Sequence, residues 1–178
     1  MPLISCVVNV DSRPENNTNE KMFNGVVNRD FLVDNVINKK KLFQGFDAEF
    51  IVFLDLHEEV SDETISHMRE LADTLIIRKH NKSFEDVDNF AAFNDLNYLQ
   101  ALFCARGKYI FHFDGDVSAF ASSPEPIQEY INLLEQYSFV SYPSLWSPLP
   151  VHDDSFQGIF WVSTRFFCCK RSTLDFGE

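Results

Sequence analysis

Apolar residues in this chain fall in short continuous runs separated by longer stretches where they recur every three or four positions, a pattern that predicts strands joined by helices. Leu3 to Val10 is a β-branched run that ends in the turn formers Asp11-Ser12-Arg13-Pro14-Glu15-Asn16-Asn17, a strand followed by a loop. From Asn28 to Gln44, Leu32, Val36 and Phe43 share a helical face flanked by Val33 and Ile37, and Gly45 marks the stop. Phe50 to Leu54 is continuously apolar, as a strand covered on both faces requires, and it ends in Asp55. Ile65, Met68 and Ala72 line a helix over Asp62 to Ala72, and Thr74 to Ile77 follows as a short strand. The polar stretch Lys79 to Phe90 has no regular period and reads as a loop leading into a helix.

Ala92, Leu96, Leu99 and Phe103 then recur at helical spacing, with Gly107 at the terminus, before the strand Tyr109 to Phe113. Ser122 and Ser123 ahead of Pro124 and Glu125 open a helix whose buried stripe is Ile127, Tyr130, Ile131 and Leu134. Phe139 to Tyr142 resumes strand, Pro143 to Gly158 is a long irregular loop, and Ile159 to Cys169 is a last strand. Strands separated by helical stretches imply parallel pairing through right-handed crossovers. The expected architecture is therefore α/β, a three-layer α/β/α sandwich with a mostly parallel central sheet, formed by residues 1–178 as a single domain.

Composition narrows the chemistry. With 45% apolar and 15% aromatic residues the chain has material for a filled core rather than a disordered one. A formal net charge of -12 opposes a phosphate backbone, so nucleic acid is not an expected partner. Lys39, Lys40 and Lys41 form the only basic run, and a solvated helix face accounts for it better than a binding patch. No stretch reaches the roughly 20 apolar residues of a membrane span, and the N-terminal run lacks the basic flank of a signal peptide. Cys6, Cys104, Cys168 and Cys169 lie in apolar runs without metal or redox spacing, so buried thiols in a reducing cytoplasm are expected.

Two Asp-x-Asp pairs occur, Asp86-Val87-Asp88 and Asp114-Gly115-Asp116. Only the second caps the carboxyl end of a buried strand, where an open α/β sheet receives its ligand. Gly115 leaves room for close approach, and two carboxylates at a turn can converge on a hard cation, Mg or Mn, that also bridges two phosphates.

The segment Ala105-x-Gly107-x-Tyr109-Ile110 followed by Asp114-x-Asp116 resembles the Ala-x-Gly-x-Tyr-Ile-x-Phe-Leu-Asp-x-Asp signature of GT-A glycosyltransferases, especially their large inverting, polysaccharide-extending family. The resemblance implies a glycosyltransferase that moves a sugar from a nucleoside-diphosphate sugar, a uridine one, to a glycan, lipid or protein acceptor that the sequence does not identify. It implies that the loop at Asp11 and Arg13 holds the nucleotide, although the family's usual Pro-Thr-x-Asn-Arg is absent there. Asp55 corresponds to the acid that contacts the base, in Asp55-Leu56-His57-Glu58 where the family carries Asp-Asp-Gly-Ser. Asp116 would bind the metal directly, and Asp114 would contact the ribose, or the metal through water, with the two roles open to exchange. Phe166 to Arg171 resembles the late strand before the acceptor-binding region, and the general base would lie beyond Glu178, so the chain is expected to be truncated before that region.

Other chemistry has less support. His152, Asp153 and Asp154 read as a solvated loop, His112 as a core histidine, and Trp146, Trp161, Phe156 and Phe160 as packing rather than a sugar-stacking wall. No Gly-x-Ser-x-Gly elbow, phosphate loop or dinucleotide fingerprint is present. A nucleotidyltransferase, which shares the sheet but uses a Gly-rich, basic first loop, and a nucleotide-sugar-binding module or fragment without complete catalytic machinery are the alternatives.

Overall fold

The computed structural model describes residues 1–11, 29–56, 62–79, 100–115, 123–141 and 166–174, with backbone alone at 11, 29–32, 55–56 and 79. In chain order these form β1 (Ile4–Asp11), α1 (Arg29–Leu42), β2 (Ala48–Leu56), α2 (Asp62–Leu71), β3 (Thr74–Lys79), β4 (Tyr109–Asp114), α3 (Glu125–Gln136), β5 (Phe139–Ser141) and β6 (Phe166–Lys170). Residues 100–104 are also helical. Among the described residues no helix is long and apolar enough to cross a membrane.

The strands form a 6-stranded sheet in the order β3-β2-β1-β4-β6-β5. β1 to β4 pair in parallel, whereas β6 runs antiparallel to both β4 and β5. Both faces are covered, so the interior strands carry buried apolar residues at consecutive rather than alternate positions: Cys6, Val7 and Val8 are all 0% exposed, as is Ile4. One face packs Cys6, Val8, Val52 and Phe111 against Val36, Met68, Ile131 and Leu134 of the three helices. The other packs Val7, Ile51, Phe53 and Ile110 against Ala101, Leu102 and Ala105. This is the three-layer sandwich expected.

Three local readings are corrected. Phe103, which recurs with Ala92, Leu96 and Leu99 at helical spacing, is 66% exposed, while its neighbours Ala101 and Leu102 are buried. The stripe is rotated because Ala101, Leu102 and Ala105 are the residues packed on the sheet. Gly107 is required by contact rather than as a helix stop, since a Cβ there would lie 2.5 Å from the Ile4 carbonyl carbon and from the Ser5 nitrogen. Cys104 is exposed; the other three cysteines are buried, and all four are free thiols. Burial pushes the Cys168 thiol up to about 12 and Cys169 up to about 11.

The amino ends of the strands are tied by a polar network. The Glu49 carboxylate accepts from Ser5 Oγ at 2.5 Å, the Arg106 N–H at 2.6 Å and Arg106 Nε at 2.8 Å. Ser5 Oγ in turn accepts the Gly107 N–H at 2.7 Å. Burial would raise the Glu49 carboxyl, but the bonds from Ser5 and Arg106 outweigh it and hold it below its usual value. A group depressed on folding stabilises above its unfolded value, about 4.3 for glutamate, and loses that contribution as pH falls below it. Glu49→Gln should therefore cost about 1–2 kcal/mol at pH 7 and flatten the acid limb of a stability–pH curve measured by urea unfolding. An acid limb identical to the parent's would contradict this role.

Candidate functional site

The chain runs outward through β1, β2 and β3 and then returns to lay β4 on the other side of β1. Strand order therefore reverses between β1 and β4, and in open α/β sheets such a reversal opens a crevice at the carboxyl ends. Asp114 ends β4 at that point, with Asn9 as its register partner on β1. Two residues on, Asp11 of β1 pairs in register with Asp55 of β2, which is opposite Arg78 of β3. Three of the acids singled out in the sequence thus occupy one rim of the sheet, on adjacent strands.

Gly115 follows immediately. Its N–H extends the ladder by donating to the Asn9 carbonyl at 2.5 Å. A Cβ at this position would meet that carbonyl oxygen at 2.9 Å and Val10 Cα at 3.0 Å, so the turn is pressed onto β1 as only glycine allows. The Gly115 carbonyl accepts from Asn35 Nδ2 at 3.0 Å and from Lys39 Nζ at 3.2 Å, both on α1. Asn35 is 2% exposed and Lys39 0% exposed. The solvated face read for Lys39, Lys40 and Lys41 holds for Lys40 and Lys41 alone, which are exposed. Lys39 sits three residues after Val36 and four before Phe43, inside the buried stripe, and that phase is the signal that identifies it. Its ammonium lies close enough to Cys6 to oppose the upward push that burial exerts on the thiol.

Asp114 is half-buried. Asn9 Oδ1 is a buried oxygen with no hydrogen-bond partner. A carboxylate and an unsatisfied amide oxygen on paired strands are the donor types a hard divalent cation takes, so the described rim fits Mn or Mg. No group of three or more His, Cys, Asp or Glu converges as a metal cage among the described residues. Asp116 and Arg13 lie outside the described residues, as do Asp86, Asp88, Trp146, His152, Asp153, Asp154, Phe156, Phe160, Trp161 and the terminal Asp175 to Glu178. His112 is the core histidine expected, 0% exposed and stacked on Phe167 with centroids 4.7 Å apart. Lys170 and Arg171 stand at the amino end of β4, away from Asp114, because β6 pairs Lys170 with Tyr109.

No family model matches the chain, and no curated protein matches it. Solved structures do. A mannosyltransferase from Pyrobaculum calidifontis, in complex with GDP-Man and Mn2+, aligns over 98% of this chain at 13% identity with a TM-score of 0.52. The 1–349 portion of S. aureus TarS in complex with UDP aligns over 97% at 12% identity with a TM-score of 0.52, and its complex with UDP-GlcNAc gives 0.51. The chain spans about half the length of these structures, 46% and 48%. Its fold is that of the GT-A nucleotide-diphospho-sugar glycosyltransferases.

Proposed function

We propose that this chain supplies the donor-binding half of a metal-dependent glycosyltransferase, which takes a nucleoside-diphosphate sugar into the crevice between β1 and β4. The observation that carries this is the placement of Asp114 at the point of strand reversal, with its following glycine locked onto β1. The similarity to proteins crystallised with GDP-Man, UDP and UDP-GlcNAc supports a nucleotide sugar as ligand, and the Mn2+ of the first supports a divalent metal.

Asp114 and Asp116 would hold the cation, Mn or Mg, with Asn9, the register partner of Asp114, offering Oδ1 as a further oxygen. When bound, such a cation neutralises the charge that develops on the nucleoside diphosphate as the sugar bond breaks. Asp11 at the end of β1 and Arg13 two residues on would border the nucleotide, with Arg13 as the cation for a phosphate. Asp55 would accept hydrogen bonds from the base, a uracil by resemblance to the inverting polysaccharide-extending family. The acceptor is a glycan, a lipid or a protein. Four free thiols, three of them buried, suit a reducing compartment such as the cytoplasm.

Calorimetric titration of UDP, GDP and their sugar conjugates, in Mn2+ and in EDTA, tests the assignment. Diphosphates should bind at least about tenfold tighter in Mn2+, a difference of about 1.4 kcal/mol. Asp55→Ala should weaken UDP about tenfold while preserving the Mn2+ dependence. A preference for triphosphates would instead favour nucleotidyl transfer, and equal affinity with and without metal would remove the role of the acid pair.

A further inference from the structure

Two buried polar side chains beneath Gly115 have no part in the proposed chemistry, yet both converge on one backbone atom. Asn35 Nδ2 and Lys39 Nζ donate to the Gly115 carbonyl at 3.0 and 3.2 Å. Their Cα atoms are four residues apart on α1, so one helical face presents both. Burying an ammonium is expensive, and a fully enclosed lysine is uncommon without a partner to hold its charge. Lys39 is enclosed directly under Gly115, whose carbonyl is one of its partners.

The consequence for the turn is mechanical. Gly115 has its N–H committed to the Asn9 carbonyl on one side and its own carbonyl committed to α1 on the other. Neither peptide plane flanking Gly115 can rotate without breaking a buried hydrogen bond, which costs about 1–3 kcal/mol. Glycine would otherwise be the most permissive residue in the pair, free to visit both signs of φ. We propose that Lys39 and Asn35 are positioning residues for the Asp114-Gly115 strand end, fixing the backbone at Gly115 so that a divalent cation meets a preset Asp114 carboxylate.

This role rests on the donor-site assignment above. Outer residues that orient metal ligands commonly change metal affinity by about 10–100-fold when replaced. The test titrates UDP into the full chain and into Lys39→Met and Asn35→Ala, with Mn2+ and with EDTA, and records thermal unfolding and the Mn2+ paramagnetic resonance spectrum of each UDP complex. Lys39→Met should unfold cooperatively, bind UDP at least about tenfold more weakly in Mn2+, match the parent in EDTA, and give an altered Mn2+ spectrum. Asn35→Ala should shift in the same direction by about threefold, since it removes a neutral donor and leaves the charged one. Should Lys39→Met fail to fold, Asn35→Ala decides alone. Parental affinity and spectrum in Mn2+, or an equal loss with and without metal, would overturn the positioning role. A parent protein that itself binds UDP no better in Mn2+ than in EDTA would instead refute the donor site beneath it.

Discussion

Asp116→Asn is expected to abolish Mn2+-dependent binding of a nucleotide sugar while thermal unfolding stays cooperative. Replacing a carboxylate ligand by an amide keeps the shape but removes the charge that holds a hard cation. Replacement of mere outer partners costs about 10–100-fold in metal affinity, so loss of a direct ligand should exceed about 100-fold. Asp114→Asn should follow it, with an added stability loss because Asp114 is half-buried at the end of β4. Calorimetric titration in Mn2+ alongside a thermal melt separates the two effects. Retention of parental affinity in Asp116→Asn would exclude it as a ligand.

Gly107→Ala is expected to be the most destabilising single-atom-group addition in the described chain. The new methyl would sit 2.5 Å from the Ile4 carbonyl carbon and the Ser5 nitrogen, and 2.8 Å from Ser5 Oγ. The first two are backbone atoms of a strand buried at the sheet's centre, so neither can swing aside as a flexible side chain would. Overpacking in a core costs about 1–3 kcal/mol, and displacing a central strand should reach at least about 3. The same shift would break the Gly107 N–H bond to Ser5 Oγ at 2.7 Å and strain the Glu49 network beyond it. Denaturant midpoints of the two proteins measure the difference. A change below about 0.5 kcal/mol, the size of a neutral surface substitution, would contradict the close approach.

The sheet was legible because its central strands are buried on both faces and so announce themselves as apolar runs: Phe50 to Leu54 lies within β2, and Tyr109 to Phe113, broken by His112 alone, within β4. The stripe of Ile127, Ile131 and Leu134 was equally plain, since α3 exposes one face to solvent. Register was not legible. That Asn9 stands opposite Asp114, and Asp11 opposite Asp55, depends on how far each strand slides past the next, which no local pattern encodes. Asn9, Asn35 and Lys39 escaped notice for a related reason. Each is polar where the period expects apolar residues, and a partner that Asn35 and Lys39 share, the Gly115 carbonyl, is 80 and 76 residues away. Lys39 was hidden further by its neighbours: composition groups it with Lys40 and Lys41, whereas helical phase turns it inward and them outward. The Glu49 network has the same character, joining Ser5, Glu49 and Arg106 across 44 and 57 positions.

The strand end at Asp114 could be read because its context, a buried run followed by glycine, is local. Its partners across the sheet are set by topology, and the fold's reversal between β1 and β4 is what turns a common dipeptide spacing into a candidate ligand site.

The most direct test is a crystal of the protein grown with UDP and Mn2+, with diffraction recorded at the manganese absorption edge. An anomalous peak is expected at the rim where β4 ends, within coordination distance, about 2.0–2.6 Å, of a carboxylate oxygen from Asp114 or Asp116 and of both phosphates. A nucleotide bound elsewhere, or a diphosphate in that crevice with no manganese between it and the turn, would contradict it.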